Sequence, residues 1–306
     1  MKEEVAFDII FIMRELKITT LIENEPADKA ELTYEHGLSL FIEFDGRKIL
    51  FDTGQSGDFL ENAAKLGKRI EDTDYIFISH GHYDHSGGVP KLLEYLSQKE
   101  RAFAIPLCVG NEFFLPKYKK LPDNTWHYNG NPFGETEVQN APVELHKITG
   151  DVTYITEKIL VFKNFTKYTD YEKTNPKFYV RQDVAGMKED PSNSVFMQDE
   201  FADEIVLGLL TTKGLVLIVG CSHVGLVNIM ENVKRRTGLP IYSVLGGTHL
   251  VEADRERLQK TIAAMRDFHL QEIAVSHCTG EQGMRLVQEE FGSGFIRNNT
   301  GNIYRL

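Results

Sequence analysis

Apolar positions follow two spacings along the chain, and the change from one to the other marks its elements. Residues 16–23 (Leu-Lys-Ile-Thr-Thr-Leu-Ile-Glu) are rich in β-branched side chains and read as a strand. Glu23-Asn24-Glu25-Pro26-Ala27-Asp28 is a polar break. Two strands at 38–44 and 47–52 flank Asp45-Gly46, a two-residue turn signal that predicts a hairpin. A helix over about 58–68, a strand at 74–79, a helix over 89–98 and a strand at 107–110 follow.

From about 111 to 200 the pattern loosens. Phe113, Phe114, Tyr118, Trp126, Tyr128 and Phe133 are scattered among prolines, glycines and lysines. A strand pair is expected at 143–149 and 159–165, and a second loose stretch at 171–193 carries Lys173, Lys177 and Arg181. Long irregular insertions in compact domains serve as lids or surface loops. This one reads either as a cap facing a ring-bearing anionic substrate, or as a local aromatic core with solvated charges. Regularity returns at Glu204, with strands at 205–210 and 215–219 around Thr211-Thr212-Lys213-Gly214. Next come a helix over 227–235, with Leu226, Ile229, Met230 and Val233 on one face, and a strand at 241–245. A helix over 253–268, burying Leu258, Ile262 and Met265, and a strand at 272–275 complete the pattern. Strands alternating with helices predict sheet layers flanked by helices.

The chemistry gathers where strands end. After strand 74–79 the chain reads Ser-His-Gly-His-Tyr-Asp-His-Ser-Gly-Gly, so His80, His82, Asp84 and His85 fall within six residues. Imidazole and carboxylate donors on a strand-to-helix loop can converge on one point and suit zinc, or iron or manganese where oxygen ligands dominate. His80 and His82 are placed to grip one ion, and Asp84 and His85 to face a second. A histidine-rich surface loop would explain a lone imidazole; four ligand types at this spacing point to a metal site. Three later strands also finish in histidine, at Gly220-Cys221-Ser222-His223, Gly246-Gly247-Thr248-His249 and Ser276-His277-Cys278. Asp52, closing the strand before Thr53-Gly54, either approaches the metals, holds a ligand histidine from behind, or caps a turn.

Composition narrows the class. The 306 residues fit one large α/β domain or two small ones, and 42% hydrophobic with 26% charged residues are ordinary for a globular chain. A net charge of −11 argues against a general nucleic-acid or anionic-membrane binder, while leaving room for a local basic pocket. Met1-Lys2-Glu3-Glu4-Val5 lacks the basic and apolar regions of a signal peptide, and no apolar run reaches bilayer length. The three cysteines, Cys108, Cys221 and Cys278, form no disulfide framework, so a reducing cytoplasm is expected. Cys108, within Ile105-Pro106-Leu107-Cys108-Val109, reads as a small buried apolar residue.

His80-Gly81-His82-Tyr83-Asp84-His85 resembles the HxHxDH signature of the metallo-β-lactamase superfamily. His36-Gly37-Leu38-Ser39, Phe51-Asp52-Thr53-Gly54 and the three later strand ends, with Leu250 and Thr279-Gly280, add to it. Together they resemble the dihydropterin-ribofuranosylaminobenzene-phosphate synthase-like subfamily of metal-dependent hydrolases over residues 30–280. The resemblance implies an αββα four-layer sandwich spanning 1–306 as a single domain, with the site at one edge between two sheets and the cap or insertion at 111–200. His36 matches a family position but is expected to be structural.

One departure matters. Binuclear members usually carry a bridging aspartate where this chain has Cys221, and the histidine that usually precedes it has no equivalent; Asp203-Glu204 lies nearest. His223 is expected to supply the missing nitrogen. Cys221 is either a thiolate ligand, which favours zinc over manganese, or a neutral space-filler. The resulting assignment puts His80, His82 and His223 on one zinc, and Asp84, His85 and His277 on another. Cys221 is an optional ligand, Asp84 a ligand or proton acceptor, His249 a ligand or substrate-facing catalytic group, and Asp52 a support behind the ligands. The leading function is a zinc-dependent hydrolase acting on a small phosphoester, lactone or related substrate. The alternatives are a transferase of pterin-cofactor biosynthesis that releases diphosphate, and a metal-holding binding or sensing protein. A small anionic or ring-bearing molecule is the expected partner, without nucleic acid or membrane.

Overall fold

Strand alternation sorts side chains between two faces, and β-branched and aliphatic residues occupy both faces of the central strands, so both faces must be covered. The computed structural model describes residues 16–28, 31–100, 102–183 and 194–306. The opening residues used above to judge a signal peptide, and 184–193 of the second loose stretch, lie outside those described. In chain order the first elements are β1 Lys17–Ile22, β2 Ser39–Phe44, β3 Arg47–Phe51, α1 Phe59–Lys65, β4 Tyr75–Phe77, α2 Tyr83–Ser86, α3 Val89–Ser97 and β5 Ile105–Gly110. The middle of the chain forms β6 Lys117–Lys120, β7 Trp126–Tyr128, α4 Glu135–Gln139, β8 Val143–Ile148, β9 Val152–Tyr154, β10 Ile159–Phe162, β11 Phe178–Asp183 and β12 Ser194–Gln198. The last part gives β13 Val206–Thr211, β14 Gly214–Val219, α5 Leu226–Thr237, β15 Ile241–Gly247, α6 Arg255–Asp267, β16 Glu272–Ser276, α7 Gly280–Phe291 and β17 Ile303–Arg305.

One sheet has the order β17-β1-β2-β3-β4-β5-β8 and the second β16-β15-β14-β13-β10-β9. Between them lies a core that includes Ile18, Leu40, Ile42, Ile49, Phe51, Phe77, Leu207, Val216, Ile218 and Leu245. The alternation within β14 is direct: Val216 and Ile218 face the other sheet, while Leu215, Leu217 and Val219 pack with α5 residues Leu226, Ile229, Met230 and Val233. Phe59 of α1 and Val89, Leu92 and Leu96 of α3 cover the outer face of the first sheet. The layers are therefore helix, sheet, sheet, helix, as the resemblance implies. The expected hairpin is present: Asp45 and Gly46 both have positive φ (48° and 75°), and β2 and β3 pair from Phe44–Arg47 to Leu40–Phe51. The strands at 272–276, 241–247 and 214–219 run parallel side by side, so their C-terminal ends reach the same edge.

Two expectations for the middle segment are corrected. The strands at 143–148 and 159–162 do not pair with each other: β8 joins β5 in the first sheet, and β10 joins β13 and β9 in the second. Each is apolar enough to extend a sheet edge, and spacing alone did not say which. The loose stretches are not wholly irregular either, since β12-β11-β6-β7 form a third, four-stranded sheet. Its short, lysine- and aromatic-rich strands pack through Trp126 stacked on Phe196 at 4.1 Å and Tyr118 against Tyr128 and Phe196. No helix among the described residues is long and apolar enough to cross a membrane.

Ile218 lies fully buried between the two sheets, and its replacement by alanine is expected to cost about 2–5 kcal/mol in urea unfolding. Cys108 is buried in the same layer, and burial pushes its thiol up to about 12. Peptide mapping after iodoacetamide treatment of the native protein at pH 8 should therefore find Cys108 unmodified, and modified once the chain is unfolded.

Candidate metal centre

The site forms where strand ends from both sheets meet, and buried carboxylates fix its backbone. Asp52, at the end of β3, accepts hydrogen bonds from Ser79 N (2.7 Å) and Ser79 Oγ (2.8 Å), and its Oδ2 lies 2.6 Å from His85 Nδ1. Asp203 accepts from Gly81 N at 2.7 Å, between His80 and His82. Glu204 accepts from His223 N (2.9 Å) and Val224 N (3.1 Å), and Glu23 accepts from His277 N (2.5 Å). Gly220 comes so close to this loop that a Cβ there would meet Ser79 Oγ at 2.1 Å. Asp52, Ser222, His249 and His277 all take positive φ, between 48° and 58°. Such strained positions turn side chains off the strand axis into the site and persist only where surroundings hold them. The second half of the expected metal loop is one helical turn, α2, which carries Asp84 and His85.

The donors converge. His80, Cys221 and His223 present ligand atoms within 4.8 Å of one another, and so do His85, Cys221 and His277. Two further sets meet the same limit: Cys221 with His249 and Cys278, and His36 with Asp84 and His277. His80 Nε2 lies 3.1 Å from His82 Nδ1, while His85 Nε2 lies 3.1 Å from Cys221 Sγ and 3.2 Å from His277 Nε2. Asp84 Oδ2 is 3.3 Å from His277 Nε2 and 3.2 Å from His36 Nε2. Every ligand candidate named from the sequence (His80, His82, Asp84, His85, Cys221, His223, His277) is buried and lies in this constellation. His249 borders it as well. Cys221, expected as an optional ligand, belongs to three of the four donor sets.

Charge is arranged to call for a cation. Burial, helped by neighbouring imidazoles and Lys117, holds His80 and His82 well below the usual histidine range, and burial with His249 and His82 does the same to His223. These three are neutral donors. His85 is pushed the other way: burial works against its charge, but Asp52 and Asp84 raise it to about 9. Burial opposes ionisation of Asp84, yet His85, His277 and His36 hold its carboxyl well below the carboxylate range. Burial raises Cys221 well above an ordinary thiol, while Cys278, despite its burial, is held well below by Cys221 and His249.

A bound metal fits this chemistry. His82 Nε2 and both ring nitrogens of His223 and His249 are buried without a hydrogen-bond partner. Unpartnered buried nitrogens cost free energy that coordination would offset. Asp52 behind His85 and Asn24 Oδ1, 2.8 Å from His277 Nδ1, fix the outer nitrogens of two candidate ligands.

Sequence reasoning missed several supports. Glu23, within the polar break, and Glu204, near the position of the absent histidine, each pin the backbone of a candidate ligand. Lys117 is buried between Asp199 (2.7 Å) and Asp203 (2.9 Å), tying β6 to the backbone of the metal loop. His36, expected to be structural, ion-pairs with Asp84. No sequence spacing signals these contacts, since each spans separate elements. Cys278, next to His277, was the one legible hint.

The centre opens into a cavity of about 230 Å³, whose walls include His36, Tyr83, Asp84, Lys119, Phe178, His249 and Glu252. Of the aromatics expected to face a substrate, none lines it. Phe113, Phe114 and Phe133 pack on one another, and Tyr118, Trp126 and Tyr128 hold the third sheet. Tyr83 and Phe178 provide the aromatic lining instead. Among the expected cations, Lys177 reaches the cavity rim through Glu252 (3.7 Å), beside Lys119 (4.0 Å). Lys173 and Arg181 are not lining residues.

Residues 32–163 match the sequence model of the metallo-β-lactamase superfamily. The chain is 27% identical, over 95% of its length and 96% of that relative, to 7,8-dihydropterin-6-methyl-4-(β-D-ribofuranosyl)-aminobenzene-5'-phosphate synthase of Methanocaldococcus jannaschii. It superimposes with a TM-score of 0.78 on a solved metal-dependent hydrolase of the β-lactamase superfamily, at 26% identity over 95% of this chain and 99% of that one. A shorter likeness, 33% over 31% of this chain and 27% of that relative, is to ribonuclease Z of Archaeoglobus fulgidus. With a relative named for RNA cleavage, net charge alone does not exclude a nucleic-acid partner.

Asp52→Asn keeps an acceptor for Ser79 but removes the charge behind His85. It is expected to weaken metal retention against a chelator by about 10–100-fold, with the folded state preserved by circular dichroism.

Proposed function

Because the chain is a member of the metallo-β-lactamase superfamily, we propose that Cys221 joins the His80–His82–His223 and Asp84–His85–His277 sets into one paired zinc centre that hydrolyses a small phosphoester, lactone or related substrate. One observation carries this reading: a single buried sulfur belongs to both the His80–His223 and the His85–His277 donor sets, where a bridging carboxylate is missing. Thiolate and imidazole donors favour zinc over manganese. Bound zinc lowers the pKa of its water to about 7 and stabilises charge that develops on the reacting oxygens.

The remaining roles fall to the chain's own groups. Asp84, ionised and steered by His36 and His277, is placed to accept a proton at the cavity floor. His249, against the effect of burial, is raised to about 9 by Cys278 and Glu252, so at neutral pH it presents a proton toward a leaving oxygen. Glu252, drawn down to about 2 chiefly by His249, also meets Lys119 of the third sheet and Lys177 just before it. That link supports a cap role for the third sheet alone, since β8, β9 and β10 of the 111–200 segment belong to the two main sheets; Lys119 and Phe178 are then positioned to receive an anionic, ring-bearing group.

A second reading rests on the near full-length likeness to the pterin-related synthase. In that case the same centre would activate a diphosphate leaving group, and the cap would exclude water from a condensation between a pterin and an arylamine.

Elemental analysis of protein purified without added metal should find close to two zinc ions per chain, with chromogenic phosphodiesters or lactones turned over. His82→Ala should lose both the metal-dependent turnover and part of the bound metal; full activity in this variant would overturn the assignment. Diphosphate release that requires pterin and amine together would select the transferase, and tightly held metal with no turnover a binding protein.

A further inference from the structure

Two donors are left over once the paired histidine sets are filled, and they share a wall of the cavity. We propose that Cys221, His249 and Cys278 form a third, thiol-rich metal position beside the paired centre, selective for a thiophilic cation such as zinc or cadmium.

The backbone builds it. Cys221 follows β14, His249 follows β15 and Cys278 follows β16, three neighbouring parallel strands. Neighbouring strands lie about 4.8 Å apart, so residues just past their ends are held at ligand spacing. The donor atoms Sγ, imidazole nitrogen and Sγ all lie within 4.8 Å of one another, and all three residues are buried in the set. Cys278 Sγ accepts from His249 N at 3.2 Å, which locks the two relative to each other. His249 holds a left-handed backbone conformation, φ 48°, at the turn that follows β15.

A second observation points to a ligand. Both ring nitrogens of His249 are buried and have no hydrogen-bond partner; its nearest carboxylate oxygen, on Glu252, lies 3.6 Å from Nε2. If the two cysteines were only apolar filler, that imidazole would have the Glu252 carboxylate as its ion-pair partner but no hydrogen bond to either ring nitrogen. Two sulfurs and one nitrogen form a softer donor set than either histidine-rich set, and softness selects zinc or cadmium over manganese or magnesium. The fourth direction opens to the cavity, where Glu252 and Phe178 stand. Filling this position also takes His249 from the proton-donating role given above, so excess zinc would lower turnover; that consequence alone rests on the hydrolase reading.

Metal-free protein titrated with Co²⁺ should show a thiolate-to-cobalt charge-transfer band to which both cysteines contribute. Cys278→Ser should remove the late-filling part of the band and leave the part that Cys221 supplies, and His249→Gln should weaken the same late-filling part. Cadmium X-ray absorption on the unaltered protein provides a check that needs no variant: it should find a cadmium with two sulfur neighbours. A band unchanged by Cys278→Ser, or cadmium with at most one sulfur neighbour, overturns the third position. A band unchanged by Cys278→Ser, or cadmium with one sulfur neighbour, leaves the paired centre and its Cys221 untouched, whereas cadmium with no sulfur neighbour would count against Cys221 in both.

Discussion

A buried carboxylate that accepts hydrogen bonds is the constraint on which the site depends. Asp52 is fully enclosed, and removing its charge from water is costly unless every lone pair is used. It meets that cost with the backbone and hydroxyl of Ser79 and the ring of His85, and so joins the end of β3 to the first turn after β4. Asp203, Glu204 and Glu23 repeat the arrangement at Gly81, His223 and His277. Four buried acids thus hold the ligand-bearing loops by their main chain, leaving the imidazole rings free to face inward. This is how strained positive-φ residues are kept at the ends of otherwise regular strands.

The fold was largely legible because its signals are local. Alternation in β13 and β14, the Asp45-Gly46 turn and the helical face of α5 each lie within a dozen residues, and period alone identifies them. The donors were legible for the same reason: ligand types cluster in sequence at 80–85 and recur at three later strand ends. What lay hidden was pairing at long range. Nothing near Glu23 announces that it will meet His277, and nothing at 159–162 states that the strand belongs beside β13 rather than β8. The irregular composition at 111–200 hides the placement of β8, β9 and β10 in the main sheets as well as a third sheet, which depends on cross-strand aromatic contacts that no period encodes.

The middle segment ties to the site through two charged threads, one to the metal loop and one to His249. Lys117, neutralised by Asp199 and Asp203, joins β6 to the backbone that carries His80 and His82. Glu252 links Lys119 and Lys177 to His249. A displacement of the third sheet would therefore be felt at all three histidines, and substrate preference and ligand geometry need not vary independently in this chain.

The centre also has a place in time. His85 and His277 stand 3.2 Å apart in space and 192 residues apart along the chain. Closing a loop of that length is entropically costly and is rewarded only after both sheets have docked. A growing polypeptide that has emerged through β5 already carries its HxHxDH cluster, yet lacks the sulfur and the two imidazoles that complete the pair. On the assignment proposed above, cation capture would wait until β14, β15 and β16 have found their neighbours, and a loaded centre would certify that they have.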